Sequence, residues 1–353
     1  METKVFLELL SNGKGVSGFE YPLQNTIISA FDKYLDDISV DKLGNVIGVK
    51  KGTYKDNEKS IKIMIAAHMD EIGFMVKDIE ENGFIRFTNV GGIDPRTILG
   101  QEVIVHGKED LFGVIGSKPP HLQEPKEHNK AIKMEDMIID IGYPKDKVEE
   151  LVSIGDPITI RRNIKNFLGN RIAGKALDDR AGVAALYECM KELNKINHEV
   201  DVYFVTTVQE EVSMAGALVS TYKINPDIGI AIDVGFGATP ELPRASTVEL
   251  GKGPAITLGG NIHPNLRKEL VKIAKEYNIP NQIEVTPGPT GTDARAMQIT
   301  RDGIPSLLLS IPLRYMHTSV ELLDMEDIKN TGKLLAFFIA SISNENLEGL
   351  LCY

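Results

Sequence analysis

Seven side chains of this sequence could together do chemistry: His68, Asp70, Asp178, Glu210, Glu211, Asp233 and His317. They are imidazoles and carboxylates with no thiol among them, a donor set suited to zinc, cobalt or manganese. An ionised Asp178 can bridge two cations through its two oxygens, so a two-metal hydrolytic centre is the chemistry to expect. Two divalent ions carry four positive charges. Asp178, Glu211 and Asp233 supply three negative ones, and a bridging hydroxide brings the cluster to neutrality. That leaves Glu210 outside the metal shell, as a general base beside metal-bound water requires. His68 and Asp70, two apart on an extended strand, share one face, so one can bind a metal while the other orients the imidazole.

Each of these signals is weak alone. A His-x-Asp pair is more often a hydrogen-bonded structural histidine, an Asp opening a helix is commonly an N-cap, and a Glu-Glu pair is commonly solvated negative charge on a helix dipole. Position in the chain changes the weighing. Asp201 to Val208 is a β-branched and aromatic run that reads as a strand buried on both faces, and it delivers Glu210 and Glu211 at its tip. Consecutive strand residues point to opposite faces, so these two acids share a site only if the backbone turns there. Ser60 to Ala67 is a strand leading into His68, Ile228 to Ile232 stops on Asp233 before Val-Gly-Phe-Gly, and Ile304 to Ile311 leads to Arg314-Tyr315-Met316-His317. Asp178 opens a helix carrying Val183, Leu186, Met190 and Leu193. If the strands are parallel, their C-terminal ends lie along one edge, where open α/β sheets place ligands.

The remaining pattern frames these elements. Helices are expected over Pro22 to Leu35, Pro264 to Tyr277 and Met325 to Ile342, and strands over Ile38 to Lys50 and Arg171 to Leu177. Asn12 to Gly18 is Gly-rich but lacks the phosphate-loop ending and the nucleophile-elbow spacing, so it reads as a turn. From Gly73 to about Asn163 the texture shifts to short alternating runs punctuated by glycine, which predicts a small β-barrel or sandwich inserted between two parts of an α/β domain. Within it Pro119 to Lys133 is expected as an exposed loop, with His121 and His128 as surface histidines rather than ligands.

At 353 residues the chain can hold one large domain or two smaller ones, and 42% apolar with 25% charged residues is ordinary soluble composition. The formal charge of -11 argues against nucleic acid or an anionic membrane as the main partner. Cys189 and Cys352 are the only cysteines, so neither a disulfide framework nor a thiolate zinc site is available. The first residues form a short amphipathic pattern rather than a secretory signal, and no apolar stretch reaches membrane-spanning length. A cytoplasmic location is therefore expected.

The chain also resembles the M42 family of dinuclear metallo-aminopeptidases, the tetrahedral-aminopeptidase and glutamyl-aminopeptidase group. The motifs that carry the resemblance are Ala67-His68-Met69-Asp70, Leu177-Asp178-Asp179-Arg180-Ala181-Gly182, Val208-Gln209-Glu210-Glu211, Ile232-Asp233-Val234-Gly235, Gly291-Thr292-Asp293-Ala294 and Tyr315-Met316-His317, in family order across nearly the whole chain. The resemblance implies that His68, Asp178 and Asp233 hold one metal and Asp178, Glu211 and His317 the other. By the same resemblance Asp70 steadies His68, and Glu210 is base and acid in removing N-terminal residues from short peptides by metal-bound hydroxide attack. It implies a phosphorylase/hydrolase-like α/β catalytic domain (residues 1–72 and 164–353) interrupted by a PDZ-like β-barrel for dimerisation and assembly (residues 73–163). A homo-oligomer, a tetrahedral dodecamer built from dimers, is implied as well. Where many relatives read His-Ser-Pro-Val-Glu, this chain has His317-Thr318-Ser319-Val320-Glu321.

Two rivals come from other classes. Paired acids such as Glu210 and Glu211 can serve a glycosidase, although the absence of Trp leaves few platforms for sugar rings. A non-catalytic assembly protein could use the insert alone. The neighbourhood of Gly235 to Pro243, around Ala238 to Arg244, and Thr290 to Asp293 are expected to wall the substrate pocket, with their mixed charge leaving acidic, basic and apolar preferences open.

Overall fold

Four of the apolar runs pair side by side as parallel strands. In the computed structural model, which describes residues 1–54, 60–122 and 130–352, Asp201–Thr207, Lys62–His68, Ile228–Phe236 and Ser306–Leu313 are neighbours in that order. Val46–Lys50 and Asp37–Val40 extend the sheet on one side, Ala255–Gly259 and Gln282–Thr286 on the other, giving eight strands of mixed direction. Every residue from Ile63 to His68 and from Ile228 to Gly235 is buried. Helices cover both faces, which is why these runs are continuously apolar instead of alternating. Leu177–Leu193 and Met325–Ser341 pack on each other, Ala215–Ile224 on Asp293–Gln298, and members of both pairs lie against the central strands. Because the central strands are parallel, the residues at their carboxyl ends meet along one edge.

Three elements depart from the expected pattern. Ile38 to Lys50 is a hairpin rather than one strand, because Asp41 Oδ1 accepts from the amides of Leu43, Gly44 and Asn45 and closes a turn in which Gly44 takes φ 108°. The run from Ile228 does not stop at Asp233: the chain stays paired with Ser310–Leu313 as far as Phe236. Arg171–Gly174 joins no strand of the main sheet and forms a separate three-stranded sheet with Lys165–Asn166 and Glu321–Asp324.

Gly73–Ile79, Ile85–Val90, Glu102–His106, Asp110–Gly116, Ile138–Asp140 and Pro157–Ile160 close into an antiparallel barrel. Its interior, including Phe74, Phe87, Val103, Ile139 and Ile158, is a cluster distinct from the main core. His121 is exposed in a short turn, and His128 lies outside the described residues. Among the described residues no helix is long and apolar enough to cross a membrane.

One buried ion cluster ties together the segments that carry the candidate site. Glu71, directly after Asp70, accepts from Lys175 Nζ (2.6 and 2.8 Å) and from Arg180 Nη2 (3.0 Å). Arg180 also donates to the carbonyls of Met69, Leu10 and Gly13 and is fully buried. Burial alone would raise Glu71, yet the Arg180 and Lys175 charges hold it below its ordinary value, while burial pulls Lys175 down to about 8. Breaking such a pair costs about 3–5 kcal/mol because the orphaned charge stays buried. Glu71 thus fixes the Met69–Glu71 segment against the start of the helix that bears Asp178.

Candidate metal centre

The turn that the adjacent acids require is present. The strand ends at Thr207, Gln209 takes a left-handed φ of 58°, and a short helix begins at Glu210. Asn45 Oδ1 accepts from Val208 N at 3.0 Å and Glu20 Oε1 from Gln209 N at 2.9 Å, pinning the backbone on both sides of the bend. Asp70 then accepts from the amides of Glu210 and Glu211, each at 3.1 Å. The same carboxylate lies 3.5 Å from His68 Nδ1, whose other nitrogen, Nε2, faces Asp178 Oδ1 at 3.1 Å. One aspartate therefore orients the imidazole and holds the two-acid turn.

Asp178 and its neighbour divide two roles that the sequence leaves on one motif. Asp179 Oδ1 accepts from Gly182 N at 2.9 Å and caps the helix, whereas Asp178 keeps non-helical torsions and turns its carboxylate to the sheet edge. Glu321, the last residue of the His317-Thr318-Ser319-Val320-Glu321 stretch but given no role from the sequence, sets that conformation. Its Oε2 accepts from Leu177 N and Asp178 N, and its Oε1 from His317 N at 3.0 Å, with His317 at φ 59°. Asp178 Oδ2 consequently lies 3.3 Å from His317 Nε2, which is 3.4 Å from Glu211 Oε2. Two groups of donors result, His68, Asp178 and Asp233 in one and Asp178, Glu211 and His317 in the other, the ligand atoms of each lying within 4.8 Å of one another. Glu210 belongs to neither, and its Oε2 stands 3.9 Å from His68 Nε2.

The barrel reaches this site too. A Cβ on Gly91, whose φ is 81°, would come 3.4 Å from Glu211 Oε2, and one on Gly92 would come 3.1 Å from His317 Nδ1. Only residues without side chains let the barrel's backbone approach so closely. The two glycines are visible in the sequence, but nothing local marks them as part of the site.

Burial and mutual repulsion dominate the electrostatics. Burial, then the charge of Asp178, pushes Asp233 well above the carboxylate range, and burial and Asp233 do the same to Asp179. Burial drives Glu210 up to about 10, with attraction from His68 opposed by repulsion from Asp233, Asp293 and Glu211. Burial would also raise Asp178, yet hydrogen bonds from His317 and His68 hold it well below its usual value. His317 rises to about 11 through Asp178 and Glu211. Glu210 Oε1 and Asp293 Oδ1 are buried with no hydrogen-bond partner. Carboxylates this crowded cannot all ionise unless cations compensate them. Two donor groups that share one aspartate, each completed by a histidine, fit divalent metal ions of the borderline class.

A cavity of about 730 Å³ opens over these groups. Gly235, Phe236, Thr290, Gly291 and Thr292 line it as expected, while Ala238 to Arg244 and Asp293 do not.

The family profile described as M42 glutamyl aminopeptidase matches residues 44–334. A lysyl aminopeptidase from Pyrococcus furiosus is 40% identical over 325 residues, 91% of this chain and 92% of its own. The crystal structure of a TET aminopeptidase from a marine sediment archaeon, Thaumarchaeota archaeon, superposes with a TM-score of 0.92 at 33% identity and covers 99% of both chains. A TET peptidase from Pyrococcus horikoshii, which can assemble into a tetrahedron or a large octahedral shell, superposes at 0.85 with 34% identity, covering 97% of this chain and 100% of that one. The glycosidase alternative is not favoured, since histidines interleave the carboxylates and the matching family and the relatives named above are aminopeptidases or peptidases. The chain belongs to the M42 peptidase family and is an aminopeptidase, a hydrolase acting on peptide bonds.

Proposed function

We propose that the enzyme removes amino-terminal residues from short peptides with two divalent cations, His68, Asp178 and Asp233 holding one and Asp178, Glu211 and His317 the other. The observation that carries this is the position of Asp178, whose two oxygens face two different histidines. Zinc and cobalt suit the imidazole and carboxylate donors best, with manganese also compatible. Bound there, the ions supply Lewis acidity to the scissile carbonyl and make water easier to deprotonate. Asp70 holds His68 in the tautomer that leaves Nε2 free for the site. Glu210, outside both donor groups, takes the proton of the attacking water and returns it to the departing amine. Metal analysis tests the sharing of Asp178: the wild-type protein is expected to carry two ions per chain and Asp178→Ala to lose both. Retention of one ion by that variant would separate the two donor groups and sink the bridging role.

We further propose that residues 1–72 and 164–353 form the catalytic domain, that residues 73–163 form an assembly domain, and that the chain builds a tetrahedral dodecamer from dimers. The barrel's own core and its exposed Phe112 and Leu99 support this, as does the tetrahedron of the Pyrococcus horikoshii relative. Deleting Gly73 to about Asn163 is expected to leave a folded catalytic domain of much smaller particle size. Light scattering that still reported the parent particle would count against the assignment. A reducing, cytoplasmic location accords with Cys189 and Cys352 as free thiols.

A further inference from the structure

Besides Glu210, the cavity over the metal centre is lined by a second carboxylate that neither donor group uses, Glu284. It lies on the edge strand Gln282–Thr286, where Ile283 and Val285 point to solvent while Glu284 and Thr286 line the cavity. The side chain reaches across the neighbouring strand. Its Oε2 accepts from Thr257 Oγ1 at 3.4 Å and from Ser310 Oγ at 2.7 Å. Ser310 is the register partner of Asp233, and neighbouring strands lie about 4.8 Å apart, so Glu284 sits within one side chain's reach of the metal donors. Gly235 keeps this corner open, for a Cβ there would stand 2.9 Å from Ser310 Cβ and 3.2 Å from Glu284 Oε1. Hydroxyls hold the carboxylate in place, and it forms no ion pair among the described residues.

We infer that Glu284 selects the residue to be removed, and that the enzyme prefers peptides beginning with lysine or arginine. This rests on the aminopeptidase chemistry of the same site. A fixed, half-buried carboxylate without a counter-ion gains a charge-assisted bond from an ammonium or guanidinium. Phe236, Leu308, Ile299 and Met316 line the same cavity and suit the alkyl stem that carries such a head group. An acidic side chain would meet Glu284 and Asp233, and an aliphatic one would strip water from Glu284 without replacing it. Arg295 also lines the cavity, but it is solvent-exposed, where water and salt screen its charge. The formal charge of -11 further draws cationic peptides toward the protein.

The experiment is a panel of lysyl, arginyl, leucyl and glutamyl p-nitroanilides, assayed with the metal-loaded enzyme and with Glu284→Gln and Glu284→Arg. In the wild type, kcat/KM for lysyl and arginyl substrates should exceed that for leucyl by about 10-fold or more. Glu284→Gln should cost the lysyl substrate about 10²-fold while leaving the leucyl rate within about threefold and the metal content unchanged. Glu284→Arg should favour the glutamyl substrate over the lysyl one. A wild-type preference for leucyl or glutamyl substrates overturns the inference even if the variants fail to fold. Equal losses on lysyl and leucyl substrates, or metal loss in Glu284→Gln, overturn it as well, by showing a structural or ligand role. Absence of turnover on every anilide would instead remove the aminopeptidase chemistry on which the inference rests.

Discussion

Chelation of the purified protein is expected to abolish release of amino-terminal residues, and zinc, cobalt or manganese to restore it. A Lewis acid at the scissile carbonyl supplies several kcal/mol, so the loss should be about 10³-fold or more. The cations also answer an electrostatic problem. Among the described residues, Asp178, Glu210, Glu211 and Asp233 converge on two imidazoles, His68 and His317, and Glu210 is pushed up to about 10. A carboxyl raised in the folded state binds its proton more tightly there than in the unfolded chain. Its stabilising effect is therefore complete below the unfolded value near 4.5 and lost as pH climbs toward 10. Metal-free protein should accordingly lose thermal stability steadily over that range, and bound metal should flatten the decline. Full turnover in metal-free protein, or identical pH profiles of Tm with and without metal, would contradict the assignment.

The parts of this site that were legible in the sequence are those written by burial. A strand covered on both faces must be apolar throughout, so Lys62–His68, Asp201–Thr207 and Ile228–Phe236 stand out as runs, and their polar ends draw the eye to His68, Glu210, Glu211 and Asp233. The parts that stayed hidden depend on conformation or on distant pairing. Glutamine is no signal for a left-handed residue, yet Gln209 makes the turn that lets both acids share a site. Glu321 acts on Asp178 from 143 residues away, through backbone amides that any sequence would offer. Asp233 looked like a strand terminus because glycines follow it, although Gly235 has a packing reason of its own beside Ser310 and Glu284. Glu284 lies on an edge strand whose alternation places it on the cavity face, a fact that only the order of the sheet reveals.

The sharpest separation of binding from chemistry should come from the two adjacent acids. Glu210→Gln is expected to lower turnover by about 10²-fold or more while both ions remain. The amide keeps the shape of the side chain, but it cannot take a proton from water. Glu210 lies outside both donor groups, and its buried Oε1 has no partner to lose. Glu211→Ala should behave in the opposite order, with metal content falling first and activity following it, because its Oε2 converges with Asp178 and His317 on one donor group. Excess metal should therefore rescue part of the Glu211→Ala rate and none of the Glu210→Gln rate. Asp70 holds the amides of both residues, so neither change removes the hydrogen bonds that shape the turn. Metal stoichiometry and rate measured on the same samples decide the matter: a Glu210→Gln protein that loses metal, beside a Glu211→Ala protein that keeps it, would reverse the two roles.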